Sequence, residues 1–388
     1  MPPTHQDGQE EPWIPWWQTH FGAAEIEMVA RSVGNRHISH GPVTERLEQQ
    51  IAATLEIPYV VVTTSGSAAL FLALKALGIG NGDEVILPDR TWIATAHAVL
   101  LAGARPVLVD TTPSIPNIDP ERIERRISGN TRAIMPVHLN GRAADMEAIG
   151  AIADRHGLFV VEDACQAMLS RNRRGEPLGT LSDIGCFSMG VTKLFSTGQG
   201  GFAVTRSRRL WEAMRLVRNH GVVDNFTDRW NLPGFNFKFT DIQASFGLVQ
   251  LERASERIRH LRRVYRRYEA LLAPLSPHLR LLPVDLSAGE VPLYVEVLTE
   301  DRDALLRHLA NHRIQARPVP PCLHASPYLS GDDSFEHASF FADHTVYLPC
   351  GPGIPLDAVD TVAAALHAYA DFRRENKHEL AFSGPINT

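Results

Sequence analysis

Lys193 is the residue of this sequence best suited to covalent chemistry. The chain carries four lysines, Lys75, Lys193, Lys238 and Lys377, against thirty-four arginines, so arginine performs nearly every cationic task. Arginine cannot lose its proton and form a Schiff base; lysine can. Lys193 lies in D-I-G-C-F-S-M-G-V-T-K-L-F-S-T-G-Q-G-G-F-A-V-T, residues 183–205. The stretch reads as two short apolar strands, 184–189 and 201–205, joined by a glycine- and hydroxyl-rich turn. An apolar-walled turn is a poor place for a solvated ammonium. The alternative is a lysine whose stem lies along apolar surface while its head reaches a carboxylate at a strand edge. A Schiff-base lysine needs an electron sink, and pyridoxal phosphate supplies one when a carboxylate keeps its ring nitrogen protonated. Glu162-Asp163-Ala164-Cys165-Gln166 ends another apolar strand. Side chains alternate along a strand, so only one of Glu162 and Asp163 faces the site. Asp163 is the choice, with Gln166 in reach of the phenolic oxygen of the same ring and Trp92 offering a flat face to stack on it. Read alone, Asp163 is equally a helix N-cap and Trp92 a core aromatic.

These residues need a frame. Apolar spacing predicts helices over 23–33 and 44–55, then a β-branched strand over 59–63 that runs into Thr64-Ser65-Gly66-Ser67 and a helix ending near Gly78. Small hydroxyl residues at a helix N-terminus offer unpaired N–H groups for a phosphate, or form an ordinary cap. The pattern continues as strand 84–87, helix 93–102, strand 106–109, helix 120–127, strand 132–137, helix 145–156 and strand 158–161. Alternation of this kind, with nearly continuous apolar strands, predicts an α/β fold with a mainly parallel sheet covered by helices on both faces. Ligands in such folds sit beyond the carboxyl ends of the strands, which directs attention to 65–67, Trp92, His138, Asp163 and the Lys193 turn. After about residue 235 the texture changes to helices at 241–252 and 254–272, strands near 279–282 and 293–298, and helices at 301–312 and 356–372. This predicts an arm over 1–20, a large unit over 21–250, a smaller α+β unit over 251–374 and a tail over 375–388. Residues 323–335 are expected to form a loop, and the tail to be disordered. Trp13, Trp16 and Trp17, crowded among prolines, are expected to cover the chain's own surface or a partner subunit.

Composition excludes several functions. The chain has 388 residues, a net charge of −6 and 44% hydrophobic residues, enough for a large core and without the basic excess of a nucleic-acid binder. The basic run 253–267 is interleaved with Leu261, Val264 and Tyr265 and reads as the solvated face of an amphipathic helix. No apolar run reaches 18 residues, and the acidic, proline-containing start is unlike a secretory signal. Cys165, Cys186, Cys322 and Cys350 are widely spaced, which fits reduced packing thiols and no metal site. A cytoplasmic protein is expected.

Ten segments in order resemble the DegT/DnrJ/EryC1/StrS aminotransferases, sugar-modifying fold type I pyridoxal phosphate enzymes. They are I-S-H-G-P at 38–42, T-S-G-S-A-A-L at 64–70, G-D-E-V-I-L-P at 82–88, T-W-I-A-T-A at 91–96, P-V-H-L-N-G at 136–141, V-E-D-A-C-Q-A at 161–167, C-F-S-M-G-V-T-K at 186–193, T-G-Q-G-G at 197–201, N-H-G at 219–221 and G-F-N-F-K-F-T-D-I-Q-A-S at 234–245. The resemblance covers roughly residues 14–369 and implies an aspartate-aminotransferase-like fold with a seven-stranded sheet and a smaller C-terminal domain. It implies that Lys193 carries the cofactor and moves the reacting proton. Asp163 would pair with the ring nitrogen, Gln166 with the ring hydroxyl and Trp92 with the ring face. Gly66, Ser67 and Ser188 would hold the phosphate, joined by Asn236 from the other subunit of a homodimer. Three departures stand out: Ser67 where the family usually has Thr, Gln199 where it has Glu, and Met189-Gly190-Val191-Thr192 in place of an aromatic-His-Pro-Thr run. The activity implied is transfer of an amino group, with glutamate as the expected donor, to a nucleotide-linked 4-keto-6-deoxy or 3-keto hexose. The alternatives are a keto-inositol aminotransferase using glutamine and a non-catalytic cofactor-binding regulator.

Overall fold

A computed structural model of the chain describes residues 12–230, 232–331 and 333–375; the start of the expected arm and nearly all of the expected tail lie outside them. Seven strands, β1 (Tyr59–Thr63), β2 (Glu84–Pro88), β3 (Arg105–Val109), β4 (Thr131–Ile134), β5 (Phe159–Asp163), β6 (Ile184–Ser188) and β7 (Gly201–Thr205), form one sheet in the order β1-β7-β6-β5-β4-β2-β3. β7 runs antiparallel to both neighbours, and the other pairs are parallel. The mainly parallel seven-stranded sheet expected from the resemblance is thus present. Its strands are β-branched and nearly all buried, as in β1, where Val60, Val61 and Val62 are 4% exposed or less. A four-stranded antiparallel sheet follows: β8 (Leu279–Leu281), β9 (Val295–Thr299), β10 (Arg317–Pro318) and β11 (Thr345–Leu348), in the order β10-β11-β9-β8.

The helices are α1 (Ala23–Gly34), α2 (Pro42–Leu55), α3 (Gly66–Ala76), α4 (Ala94–Ala102), α5 (Pro120–Ile123), α6 (Met146–His156), α7 (Arg208–Arg218), α8 (Asp241–Glu252), α9 (Ala254–Leu272), α10 (Arg302–Asn311), α11 (Glu336–His344) and α12 (Leu356–Glu375). Among the described residues no helix is long and apolar enough to cross a membrane. α3 begins where the Ser65 hydroxyl accepts the Ala68 N–H at 3.1 Å. It is apolar on nearly every side because it sits between the sheet and neighbouring helices.

Several expectations need correction. β4 stops at Ile134, not 137, because Pro136 has no N–H to extend the ladder. The helix expected over 120–127 is four residues of α5 followed by a 3-10 turn. The sequence reading assigns nothing to 206–234, yet α7 lies there, capped by Ser207 and burying Leu210, Met214 and Val217. α11 and β11 were likewise unassigned. The basic run does form a helix, α9, with Leu261, Val264, Tyr265 and Tyr268 buried, but Arg257 is buried with them. It donates to the carbonyls of His20 at 2.8 Å and Leu194 at 3.3 Å, so that part of the run is a brace and not a solvated face. The arm packs on its own chain: Ile14 pairs with Ile314 and Trp17 with Cys350. Trp16 and Trp17 lie 5.6 and 5.4 Å from the Tyr294 ring.

Candidate active site

The turn between β6 and β7 is closed by its own backbone, Met189 N–H to Gly200 O at 2.8 Å and Thr197 N–H to Met189 O at 3.0 Å. It is also gripped from outside. The Tyr294 hydroxyl donates to Thr192 O at 3.0 Å and lies 2.9 Å from Thr192 Oγ1, Thr19 Oγ1 donates to Val191 O at 3.0 Å, and Arg257 holds Leu194 O. The departure at 189–192 therefore coincides with contacts from the arm and the second sheet. Lys193 is half-buried, with Nζ 5.9 Å from the centre of the Tyr294 ring. Burial pushes its ammonium below the ordinary lysine range, while the Cys165 thiol and the Asp163 carboxylate nearby act in the opposite direction. A lysine held this way presents its neutral, nucleophilic form more readily than a solvated one.

Alternation at the end of β5 separates the two carboxylates as expected. Glu162 is fully buried and saturated. It accepts from Gly179 N at 2.7 Å, Leu181 N at 2.8 Å, Ser182 Oγ at 2.9 Å and His138 Nε2 at 2.9 Å. Because His138 Nδ1 accepts the Ala144 N–H at 3.1 Å, the ring proton sits on Nε2 and points at Glu162. His138, which follows a strand, thus braces two loops and does not face Lys193. Asp163 is 5% exposed. Its Oδ1 accepts the Cys165 N–H at 3.1 Å and its Oδ2 the Thr95 hydroxyl at 2.8 Å. Each oxygen keeps acceptor capacity for a further donor. Thr95, at the start of α4, spends its proton on Asp163, so Thr91 Oγ1, 3.0 Å away, donates to it in turn.

Gly66 is the point where three elements meet. A Cβ there would lie 2.8 Å from Cys165 Sγ and 2.9 Å from Ser188 Cβ, and one on Gly201 would lie 2.4 Å from Gly66 N. Only glycines let β5, β6 and β7 approach the start of α3 this closely. Gly66, Ser188 and Cys165 are therefore neighbours, with Ser67 exposed at the same helix end. Cys165 belongs to this cluster and is more than a packing thiol. Gln166 accepts the Asn140 N–H through Oε1 at 3.0 Å, which leaves its amide N–H groups as donors. Trp92 is 57% exposed, with its face uncovered. Asn236 is exposed on a strip bonded to the end of α7, where it bridges Asn219, and no hydrogen bond joins it to the residues around Lys193 in the same chain. Of its neighbours, Phe239 is buried and Phe235 is 50% exposed. The sequence reading missed Thr95 and Tyr294, although Thr95 lay inside a quoted motif one helical turn from Trp92.

The arrangement tests well against pyridoxal phosphate. It has a depressed lysine beside a buried carboxylate with spare acceptors, and a helix start whose Gly66 and Ser67 N–H groups have no hydrogen-bond partner among the described residues. A groove of about 820 Å³ lined by Asn117, Arg142, Arg174 and Glu290 lies apart from these residues and includes neither Lys193 nor Asp163.

The sequence profile of the DegT/DnrJ/EryC1/StrS aminotransferase family matches residues 20–367. GDP-perosamine synthase of Caulobacter vibrioides is 37% identical over 336 residues, covering 84% of this chain and 90% of that protein. dTDP-3-amino-3,4,6-trideoxy-alpha-D-glucose transaminase of Streptomyces venezuelae is 36% identical, covering 88% and 91%. The crystal structure of S. venezuelae DesV in complex with a ketimine intermediate superposes with a TM-score of 0.88 at 33% identity, over 93% of this chain and 99% of that one.

Proposed function

The chain belongs to the DegT/DnrJ/EryC1/StrS aminotransferase family and is a pyridoxal-phosphate-dependent aminotransferase, and from that premise we propose that it transfers the amino group of glutamate to a nucleotide-linked keto hexose in amino-sugar biosynthesis. The observation that carries this reading is the half-buried, depressed Lys193 beside Asp163 in a chain whose relatives are named for GDP- and dTDP-linked amino sugars. We read the expected division into arm, large unit and small unit, and a cytoplasmic location, as parts of the same proposal.

Pyridoxal phosphate supplies the electron sink that makes the donor α-proton removable. Lys193 would hold the cofactor and would serve as the base that moves the proton of the donor α-carbon. Burial suits it to that task, because a base must be neutral to accept a proton. Asp163, its carboxylate fixed by the Thr91–Thr95 hydroxyl pair, would keep a proton on the ring nitrogen. Gln166 would donate to the ring hydroxyl and Trp92 would cover the ring face. Gly66, Ser67 and Ser188 would hold the phosphate, and Asn236 from the second subunit of a homodimer would reach the same group.

A panel of nucleotide-linked 4-keto and 3-keto hexoses and keto-inositols, offered with glutamate and glutamine, tests substrate class directly. Amino product from a nucleotide-linked hexose with glutamate is expected; product from a keto-inositol alone would replace this reading. The shared site is tested by mixing Lys193→Ala and Asn236→Asp proteins under conditions that allow subunit exchange. One site of each heterodimer then combines an intact lysine with an intact asparagine, so activity is expected to return toward a quarter of wild type, roughly half of the chains pairing as heterodimers with one sound site each. No recovery after confirmed exchange would confine Asn236 to its own subunit.

A further inference from the structure

Four arginines among the described residues are buried, and three of them have hydrogen-bond partners, although each also keeps one sealed nitrogen without one. Arg142 donates to Pro283 O at 2.7 Å and to Glu296 at 2.5 Å. Arg218 meets Glu48 at 2.8 Å and Val62 O at 2.9 Å, and Arg257 donates to the carbonyls already described. Arg90 is different. It is 2% exposed, its Nε is sealed without a partner, and no hydrogen bond or ion pair joins its guanidinium to any described residue. The adjacent carboxylate is turned away: Asp89 accepts the His324 backbone N–H at 2.8 Å and lies 2.7 Å from His324 Nδ1. A guanidinium so largely shielded from water, with no counter-charge, is a costly arrangement. In a folded protein it calls for a partner that arrives later.

Asn140 stands in the same condition. It is fully buried, and neither its amide oxygen nor its amide nitrogen makes a hydrogen bond of good geometry, its side chain only approaching the Tyr347 hydroxyl. Its φ of 54° lies in the left-handed region, where side chains are uncommon and where residues at functional sites recur. Arg90 follows β2 and Asn140 follows β4, and these strands are neighbours, so both residues stand beyond the carboxyl ends of adjacent parallel strands. They meet at one phenol. Burial pushes the Tyr347 hydroxyl well above its ordinary range, and the charge of Arg90 and the side chain of Asn140 oppose that rise. The Tyr347 ring lies 5.1 Å from that of Tyr294, which faces Lys193. Asn140 is tied to Gln166 through its backbone. The empty valences therefore border the residues assigned to the cofactor's ring.

We propose that Arg90 and Asn140 form a carboxylate-binding subsite beside Lys193, filled by the amino-acid donor. A planar guanidinium fork matches the two oxygens of a carboxylate, and the Asn140 amide adds a donor. Every amino-acid donor brings such a group, on its reacting carbon or, for glutamate, also at the end of its side chain. The same chemistry would fit a uronic acid as acceptor. Arg90 separates two of the motif segments, D-E-V-I-L-P and T-W-I-A-T-A, and draws attention in the sequence only as a charge at the end of an apolar strand.

The inference rests on the aminotransferase activity and not on which sugar accepts the amino group, so its test uses no keto sugar. Calorimetric titration of the cofactor-loaded protein with glutarate, an unreactive dicarboxylate, is expected to show affinity about 10- to 100-fold weaker in Arg90→Met, the loss of one charge-assisted pair. Arg90→Lys should fall between. Asn140→Gly, which keeps the left-handed backbone, should lose less. Without ligand, Arg90→Met is expected to melt at or above the wild-type temperature, because an unpaired buried charge has gone. Unchanged glutarate affinity would overturn the proposal, and so would a lower melting temperature, which would mark Arg90 as structurally paired. If glutarate binding survives while a preference for UDP-glucuronic acid over UDP-glucose is lost, the donor assignment is overturned in favour of the acceptor.

Discussion

Lys193→Ala is expected to fold, to bind pyridoxal phosphate without a covalent link, and to lose at least about 1000-fold in turnover. On the proposed reading the substitution removes both the group that would hold the cofactor and the base that would move the α-proton, and general-base catalysis alone contributes about 10²–10⁴-fold. Borohydride should fix a pyridoxyl group irreversibly on the Lys193 peptide of the wild-type protein and on no peptide of the variant. Another half-buried lysine near the large sheet, Lys238, donates to Asn219 Oδ1 at the C-cap of α7 at 3.0 Å, which leaves it a structural tie. A pyridoxyl group on Lys238 would remove Lys193 from its role. The cofactor-free protein offers a second readout. Burial depresses the Lys193 ammonium, so the amine is neutral over a wider range on the alkaline side. Its acylation by acetic anhydride, followed by peptide mass, should therefore rise with a midpoint below that of a free lysine side chain at about 10.4. A midpoint at or above the free value would contradict the burial argument.

Asp163→Asn is expected to keep the cofactor bound and the fold intact while lowering turnover by about 100- to 1000-fold, on the order of 3–4 kcal/mol of barrier. The amide has nearly the same shape. Its oxygen can still accept from Cys165 N or from Thr95, whose hydroxyl rotates freely enough to adapt. What it lacks is the negative charge that, in the proposed role, would hold a proton on the ring nitrogen, and without that proton the ring would be a weaker electron sink. Both half-reactions should slow together, since each would depend on the same electron sink. Cofactor content, read by absorbance after alkaline release, separates this effect from simple loss of binding. Activity within tenfold of wild type at full cofactor content would remove Asp163 from the role.

The sequence by itself determined the parts of this protein whose cause is local. β1 and β7 begin and end where their β-branched and apolar runs do, because a strand buried on both faces must be apolar throughout. Alternation at the end of β5 sent Glu162 and Asp163 to opposite faces, since a pleat leaves no other choice. The Lys193 turn was legible because a lone lysine among glycines and hydroxyls has few structural uses. α7 was not, because five of its eleven residues are charged and its apolar stripe matters only once the sheet it covers exists.

Tertiary structure alone decided how these parts serve each other. Thr95 reaches Asp163 across 68 residues of sequence and Tyr294 reaches Thr192 across 102. Neither bond follows from local pattern; the first depends on the order in which parallel strands lie side by side. His138 had the right position after a strand and the wrong direction, set by the Ala144 N–H and by Glu162. Arg90 shows the difference most plainly. A sequence can display a charge, but whether that charge has a partner depends on every other chain segment that could have supplied one, and folding placed Asp89 against His324 and left the guanidinium alone.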